Sequence, residues 1–121
     1  MRRAILALAL LGCTLPALAQ QGWVPQRSAR LQALDKVTAR VTELDARVGE
    51  TVRFGTLSIQ VRACNARPPD EVQDAAVWMR ITDERAAQGA PPAFQGWMFA
   101  NAPGVHMLEH PVYDIRVLDC R

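Results

Sequence analysis

Leu57-Ser58-Ile59-Gln60-Val61-Arg62-Ala63-Cys64 sets an apolar side chain at every second position, with Ser58, Gln60 and Arg62 in between. A period of two marks an extended strand that buries one face and wets the other, because successive side chains of a strand point to opposite sides. Immediately before it, Phe54-Gly55-Thr56-Leu57 reads as a tight reversal, with Val52 and Phe54 on the incoming arm. Further upstream, Val37, Ala39 and Val41 alternate with Lys36, Thr38, Arg40 and Thr42, which predicts a strand over residues 34–42. A polar turn containing Gly49 separates the two arms, so the three segments are expected to form an antiparallel meander.

Downstream the pattern repeats with different punctuation. Residues 65–74 are a loop, since Pro68-Pro69 has no N–H to give to a ladder. Residues 76–81 form a strand with Val77, Met79 and Ile81 on one face and Trp78 and Arg80 on the other. A long exposed loop with Gly89 and Pro91-Pro92 leads to the β-rich run 94–100, in which Gly96 marks a bulge or a close backbone approach. After the turn Asn101-Ala102-Pro103-Gly104, the last strand covers residues 112–120. Tyr113, Ile115, Val117 and Asp119 lie on one side of it, and Asp114, Arg116, Leu118 and Cys120 on the other. About six short strands between Pro/Gly turns give an all-β class, a small antiparallel β-sandwich or partly open barrel over residues 34–121.

The N-terminus carries a different signal. Met1-Arg2-Arg3, a short apolar run and Pro16-Ala17-Leu18-Ala19 have the layout of a secretory signal peptide over residues 1–19, a signal helix cleaved before Gln20. The run is too short to span a bilayer, so no transmembrane helix is expected in the mature chain. A rival reading makes Leu10-Leu11-Gly12-Cys13 a lipobox, with Cys13 carrying the lipid anchor of an outer-membrane lipoprotein. Residues 20–33, polar and without a clear period, read as a flexible tail. Loss of Arg2 and Arg3 with the leader takes the 14 basic residues to 12 against 12 acidic ones, and the net charge from +2 to zero. A neutral domain lacks the footprint for nucleic acid, and no run of basic residues stands ready for anionic lipid.

Either processing route leaves only Cys64 and Cys120, and two cysteines in an exported domain are expected to pair. The compartment expected is therefore periplasmic.

Gly96-Trp97-Met98-Phe99-Ala100, then Leu108-Glu109-His110-Pro111-Val112-Tyr113-Asp114, then Val117-Leu118-Asp119-Cys120, resemble the signature of the bacterial domain of unknown function 2155 family, a group of small exported envelope proteins. Leu34-Asp35-Lys36-Val37, Phe54-Gly55-Thr56-Leu57 and Cys64-Asn65-Ala66-Arg67-Pro68-Pro69 fit the same pattern, so the resemblance runs from residue 33 to 120. His106 departs from it, standing where the family pattern has asparagine. The resemblance carries no catalytic residue.

His106-Met107-Leu108-Glu109-His110 spells the inverted zinc-protease motif H-x-x-E-H, which needs both histidines on one helix face. Pro111 stops any helix there, so the reading favours a structural His110 that orders the turn before Pro111 and a His106 that is dispensable. No cofactor or metal site is assigned. Trp97, Phe99, His110, Tyr113 and Asp114 are the candidate binding residues, for an envelope protein or an apolar ligand. The leading expectation is a non-enzymatic binding module; the alternative is a small envelope enzyme or metal-binding protein using His110, Asp114 and His106.

Overall fold

The computed structural model describes Gly12 and residues 22–121; the signal peptide expected over residues 1–19, Gly12 apart, with its expected cleavage site and Cys13, lies outside them. Among the described residues eight strands follow one another: β1 (Val24–Pro25), β2 (Ser28–Asp35), β3 (Arg40–Arg47), β4 (Thr51–Phe54), β5 (Leu57–Ala66), β6 (Ala75–Asp83), β7 (Phe94–Phe99) and β8 (Tyr113–Cys120). They build two antiparallel sheets. One runs β1-β5-β6-β7, with β4 also paired to β5, and the other runs β3-β2-β8.

The alternation that defines β5 decides which side of the larger sheet faces inward. Leu57, Ile59 and Val61 of β5, Val77, Met79 and Ile81 of β6, and Phe94 and Met98 of β7 are all buried. Ala29, Leu31 and Ala33 of β2, Ala46 of β3, and Ile115 and Val117 of β8 meet them from the smaller sheet in one core cluster. Burying each large aliphatic side chain contributes about 1.5–3 kcal/mol, and setting alanines opposite bulky partners lets the sheets approach without voids.

Three expectations from the sequence need correcting. Of the flexible tail expected over residues 20–33, the described part from Gly22 on is built into the sheets, because Val24–Pro25 and Ser28–Asp35 are strands and β2 lies at the centre of its sheet between β3 and β8. The single strand expected over residues 34–42 is instead the hairpin joining β2 to β3. Asp35 turns the chain there: its Oδ1 accepts from the N–H of Val37 at 2.9 Å and of Thr38 at 3.2 Å, a local alternative to the ladder. Ala39 then takes a left-handed φ of 58°, and Val37 and Val41, whose spacing looked like a buried face, are 76% and 58% exposed. Finally, the expected meander is divided, since β3 belongs to one sheet and β4 and β5 to the other. Ala39→Gly should relieve about 1–2 kcal/mol of left-handed strain and return roughly half of it in backbone entropy. The urea midpoint should rise accordingly; a fall would show that the turn depends on the alanine methyl.

The cysteines meet because each sheet carries a bulge. In the β5–β6 ladder the register shifts between Val61 and Ala63, so Arg62 is the extra residue. In the β2–β8 ladder Leu31 pairs with Val117 and Arg30 with Asp119, so Leu118 is extra. A bulge reverses the alternation beyond it. Cys64 and Cys120 therefore turn inward, where plain alternation would have pointed each away from the aliphatic residues preceding it. They form a disulfide between the sheets with a Cα–Cα distance of 5.7 Å.

Candidate functional site

Three of the segments carrying the family resemblance, residues 34–37, 54–57 and 108–114, come together at one end of the sandwich. His110 bonds through Nε2 to Asp83 Oδ2 at 2.7 Å, and its Nδ1 accepts from the backbone N–H of Val112 at 3.0 Å and of Tyr113 at 3.1 Å. Two donors aimed at Nδ1 require a lone pair there, which puts the ring proton on Nε2 as the donor to Asp83. Lys36 Nζ closes the same corner by donating to the His110 carbonyl at 2.7 Å. The Tyr113 ring packs edge-on against Phe54, with centroids 5.5 Å apart, and tilts against His110 at 5.2 Å. Gly55, at a φ of 56°, is required beneath it, for a Cβ there would overlap the Tyr113 hydroxyl and ring. The result is a clamp joining β6 of one sheet to β8 of the other.

Asp83 is held well below the ordinary carboxylate range, at about 2 against 3.8. The His110 hydrogen bond is the largest cause, followed by the Arg85 backbone N–H and the Thr56 hydroxyl. A carboxylate whose folded value is depressed contributes stability that is complete above its unfolded value and lost as the pH falls toward its folded one. Acid unfolding should therefore gain a component between about pH 4 and about pH 2, absent from Asp83→Asn. Identical acid limbs for the two proteins would contradict it.

Both ring nitrogens of His110 are thus committed to structure. His106 lies elsewhere: its Nδ1 contacts the Trp97 carbonyl at 2.8 Å, and its ring stands edge-on to Phe94 with centroids 5.2 Å apart. Gly96, at a φ of 138°, makes the close approach read from the sequence, since a Cβ there would stand 3.1 Å from His106 Cε1. His106 is therefore not the idle residue expected, but a cover on the edge of β7. No helix holds the H-x-x-E-H segment, and its two histidines engage different strands. Asp114 pairs with Arg116 at 3.4 Å, opposite Leu34 in the smaller sheet, and does not join His110. Among the described residues, no three His, Cys, Asp or Glu side chains gather as a metal would need.

The outward face of the larger sheet is chemically the most distinctive surface. Alternation sends out Trp78 and Arg80 from β6 and Trp97 and Phe99 from β7, and Trp78 and Trp97 are direct cross-strand partners. Trp23, just ahead of β1, sits 6.2 Å from Phe99. All three tryptophans of the chain consequently lie on this one face. Arg67 lies over the Trp23 ring at 4.0 Å and Arg62 over Trp78 at 5.0 Å. The Arg62 fork also donates to Gln60 Oε1 at 3.4 and 3.3 Å, which fixes its direction. Arg80 borders a shallow depression of about 220 Å³ lined by Thr51, Ser58, Gln60 and Thr82.

On the smaller sheet Arg30 pairs with Glu43, Arg116 with Asp114 at 3.4 Å and Arg121 with Asp45 at 3.7 Å, while Arg40 and Arg47 of β3 have no carboxylate partner among the described residues. On the larger one, Glu84 is taken by Arg53 at 2.9 Å, and among the described residues Arg62, Arg67 and Arg80 have no carboxylate partner.

Of the residues singled out from sequence, Trp97 and Phe99 belong to this face, with Trp97 37% exposed. His110 and Tyr113 belong to the clamp, and Asp114 to the far surface. Trp23, Arg62, Arg67, Trp78 and Arg80 complete the face and were not among the candidates. The parity of β6 already set Trp78 on the same face as Arg80; nothing local placed Trp23 next to a strand.

Comparison with known proteins gives family without function. Residues 29–120 match a family model described as an uncharacterised protein conserved in bacteria, domain of unknown function 2155. The chain is 31% identical over 93 residues to the uncharacterised protein RP359 of Rickettsia prowazekii (strain Madrid E). That match covers 77% of this chain and 60% of the Rickettsia protein, so the chain spans less than two thirds of its relative. No solved structure matches.

Proposed function

The chain belongs to the domain of unknown function 2155 family of bacterial proteins, and from that premise and the geometry above we propose that it is a non-enzymatic binding module of the cell envelope. The observation that carries the reading is the outward placement of all three tryptophans, with unpaired arginines stacked on Trp23 and Trp78. Large aromatic side chains grouped on the wet side of a sheet, where alternation permits polar residues, mark an interaction surface. The disulfide and the secretory leader support an oxidising, periplasmic setting. His110 gives the enzyme reading little support, because neither ring nitrogen is left to take a substrate proton.

The partner is another envelope protein. Affinity capture from the native envelope should recover it with the wild-type protein and with Arg116→Gln on the opposite surface, and lose it with Trp97→Ala. Equal recovery by all three would reject the face as the binding site. Intact mass of the exported protein should show a chain that lacks the first 19 residues. A triacylated chain beginning at Cys13 would establish the lipoprotein form instead.

A further inference from the structure

Resting on that binding reading, we propose that the outward face of the larger sheet recognises an acidic, extended protein segment, whose Asp and Glu carboxylates meet Arg62, Arg67 and Arg80. Four observations lead there.

The first is charge. Residues 20–121 carry as many acidic as basic groups, yet Arg62, Arg67 and Arg80 gather on this one face with no acidic partner among the described residues. An unmatched cationic patch on a neutral domain favours an anionic partner.

The second is the type of cation. The chain has one lysine, Lys36, and it belongs to the clamp; the face uses arginine throughout. A guanidinium fork matches the two oxygens of a carboxylate, and stacking on an aromatic ring fixes its plane in advance. Arg62 is fixed in this way by Trp78 and Gln60, and Arg67 by Trp23.

The third is layout. Arg80 stands opposite Gln60, Arg62 follows two positions along β5, and Arg67 lies just past the end of that strand. The three form a row along the strand axis about 20 Å long, the length of about six residues of extended chain. Trp97 lies beside the row and offers apolar area to side chains between the carboxylates.

The fourth concerns rival ligands. The rings of Trp23 and Trp78 are already covered by guanidinium groups, so they are not free platforms for bases or sugars. A lipid surface needs apolar side chains that stand proud and insert. The most exposed ones, Val37, Val72 and Val105, come from the β2–β3 hairpin and two loops and not from this face.

Because every tryptophan is on the face, intrinsic fluorescence reports on it alone. The full-length mature protein would be titrated with a poly(Glu,Tyr) copolymer and, separately, with phosphatidylglycerol vesicles, under excitation selective for tryptophan. The copolymer should shift the emission, and its affinity should fall about tenfold or more in the triple variant Arg62→Gln, Arg67→Gln, Arg80→Gln, and again on raising salt. Matching thermal midpoints for variant and wild type would confirm that the three substitutions leave the fold alone. An unchanged emission, equal binding to the variant, or a response to vesicles in place of the copolymer would overturn the acidic-segment proposal. A silent copolymer beside face-dependent capture from the envelope overturns the acidic class only; failure of both overturns the binding reading too.

Discussion

Cys120→Ser should lower stability by about 4 kcal/mol and the thermal midpoint by roughly 20 °C, the largest effect expected from any single change. The bridge spans 56 positions of sequence, and in the chain-entropy account a loop of that length removes about that much freedom from the unfolded chain. It is also a direct covalent tie between the sheets, whose other links are side-chain packing and the clamp at the far end. Hydrogen exchange should rise first at the end of β8 and at β1, which rests on the last residues of β5. An unchanged midpoint on full reduction would remove the bridge from the account.

His110→Ala should cost about 3 kcal/mol. The side chain is 11% exposed, and its loss leaves Asp83 and the Val112 and Tyr113 amides without partners in a partly buried corner. Each unsatisfied group of this kind costs about 1–3 kcal/mol before water enters. A double-mutant cycle with Asp83→Asn isolates the pair, and its coupling should account for only part of the effect, since the two amides depend on Nδ1 and not on Asp83. Urea denaturation of the four proteins supplies the numbers. Full recovery of stability in the double variant would mean that the amide contacts contribute nothing. His106→Ala, which loses an exposed bond to the edge of β7, should cost about 1 kcal/mol.

The all-β class and β5, β6 and β8 were legible because their alternation is strict and their aliphatic residues are large. β2 was hidden for the opposite reason: of its three core residues, Ala29, Leu31 and Ala33, only one is large enough to stand out among arginines and glutamine. The β2–β3 hairpin was mistaken for a strand because its turn rests on a single Asp35 side chain, a signal weaker than the Val37/Ala39/Val41 spacing that masks it. The pairing of Cys64 with Cys120 could be reached by counting, but the way they meet could not. It depends on two bulges, and nothing local marks Arg62 or Leu118 as an extra residue.

The family signature drew attention to His110, Tyr113 and Asp114 as binding residues. In the folded chain the first two hold the sheets together, and Phe54-Gly55 and Lys36 serve the same corner. The chemistry left over for a partner sits on the other side of the larger sheet, spread across four strands between Trp23 and Phe99. Such a surface exists only after pairing brings β1, β5, β6 and β7 side by side.

The most direct test of that assignment is photocross-linking in intact cells. A photoreactive residue replaces Gln95, on the outward side of β7 opposite Arg80, or Arg116, on the outer side of the smaller sheet. The account predicts a discrete cross-linked species from position 95 that disappears when Arg62, Arg67 and Arg80 are changed to glutamine, and none from position 116. A species formed from position 116 alone would contradict it.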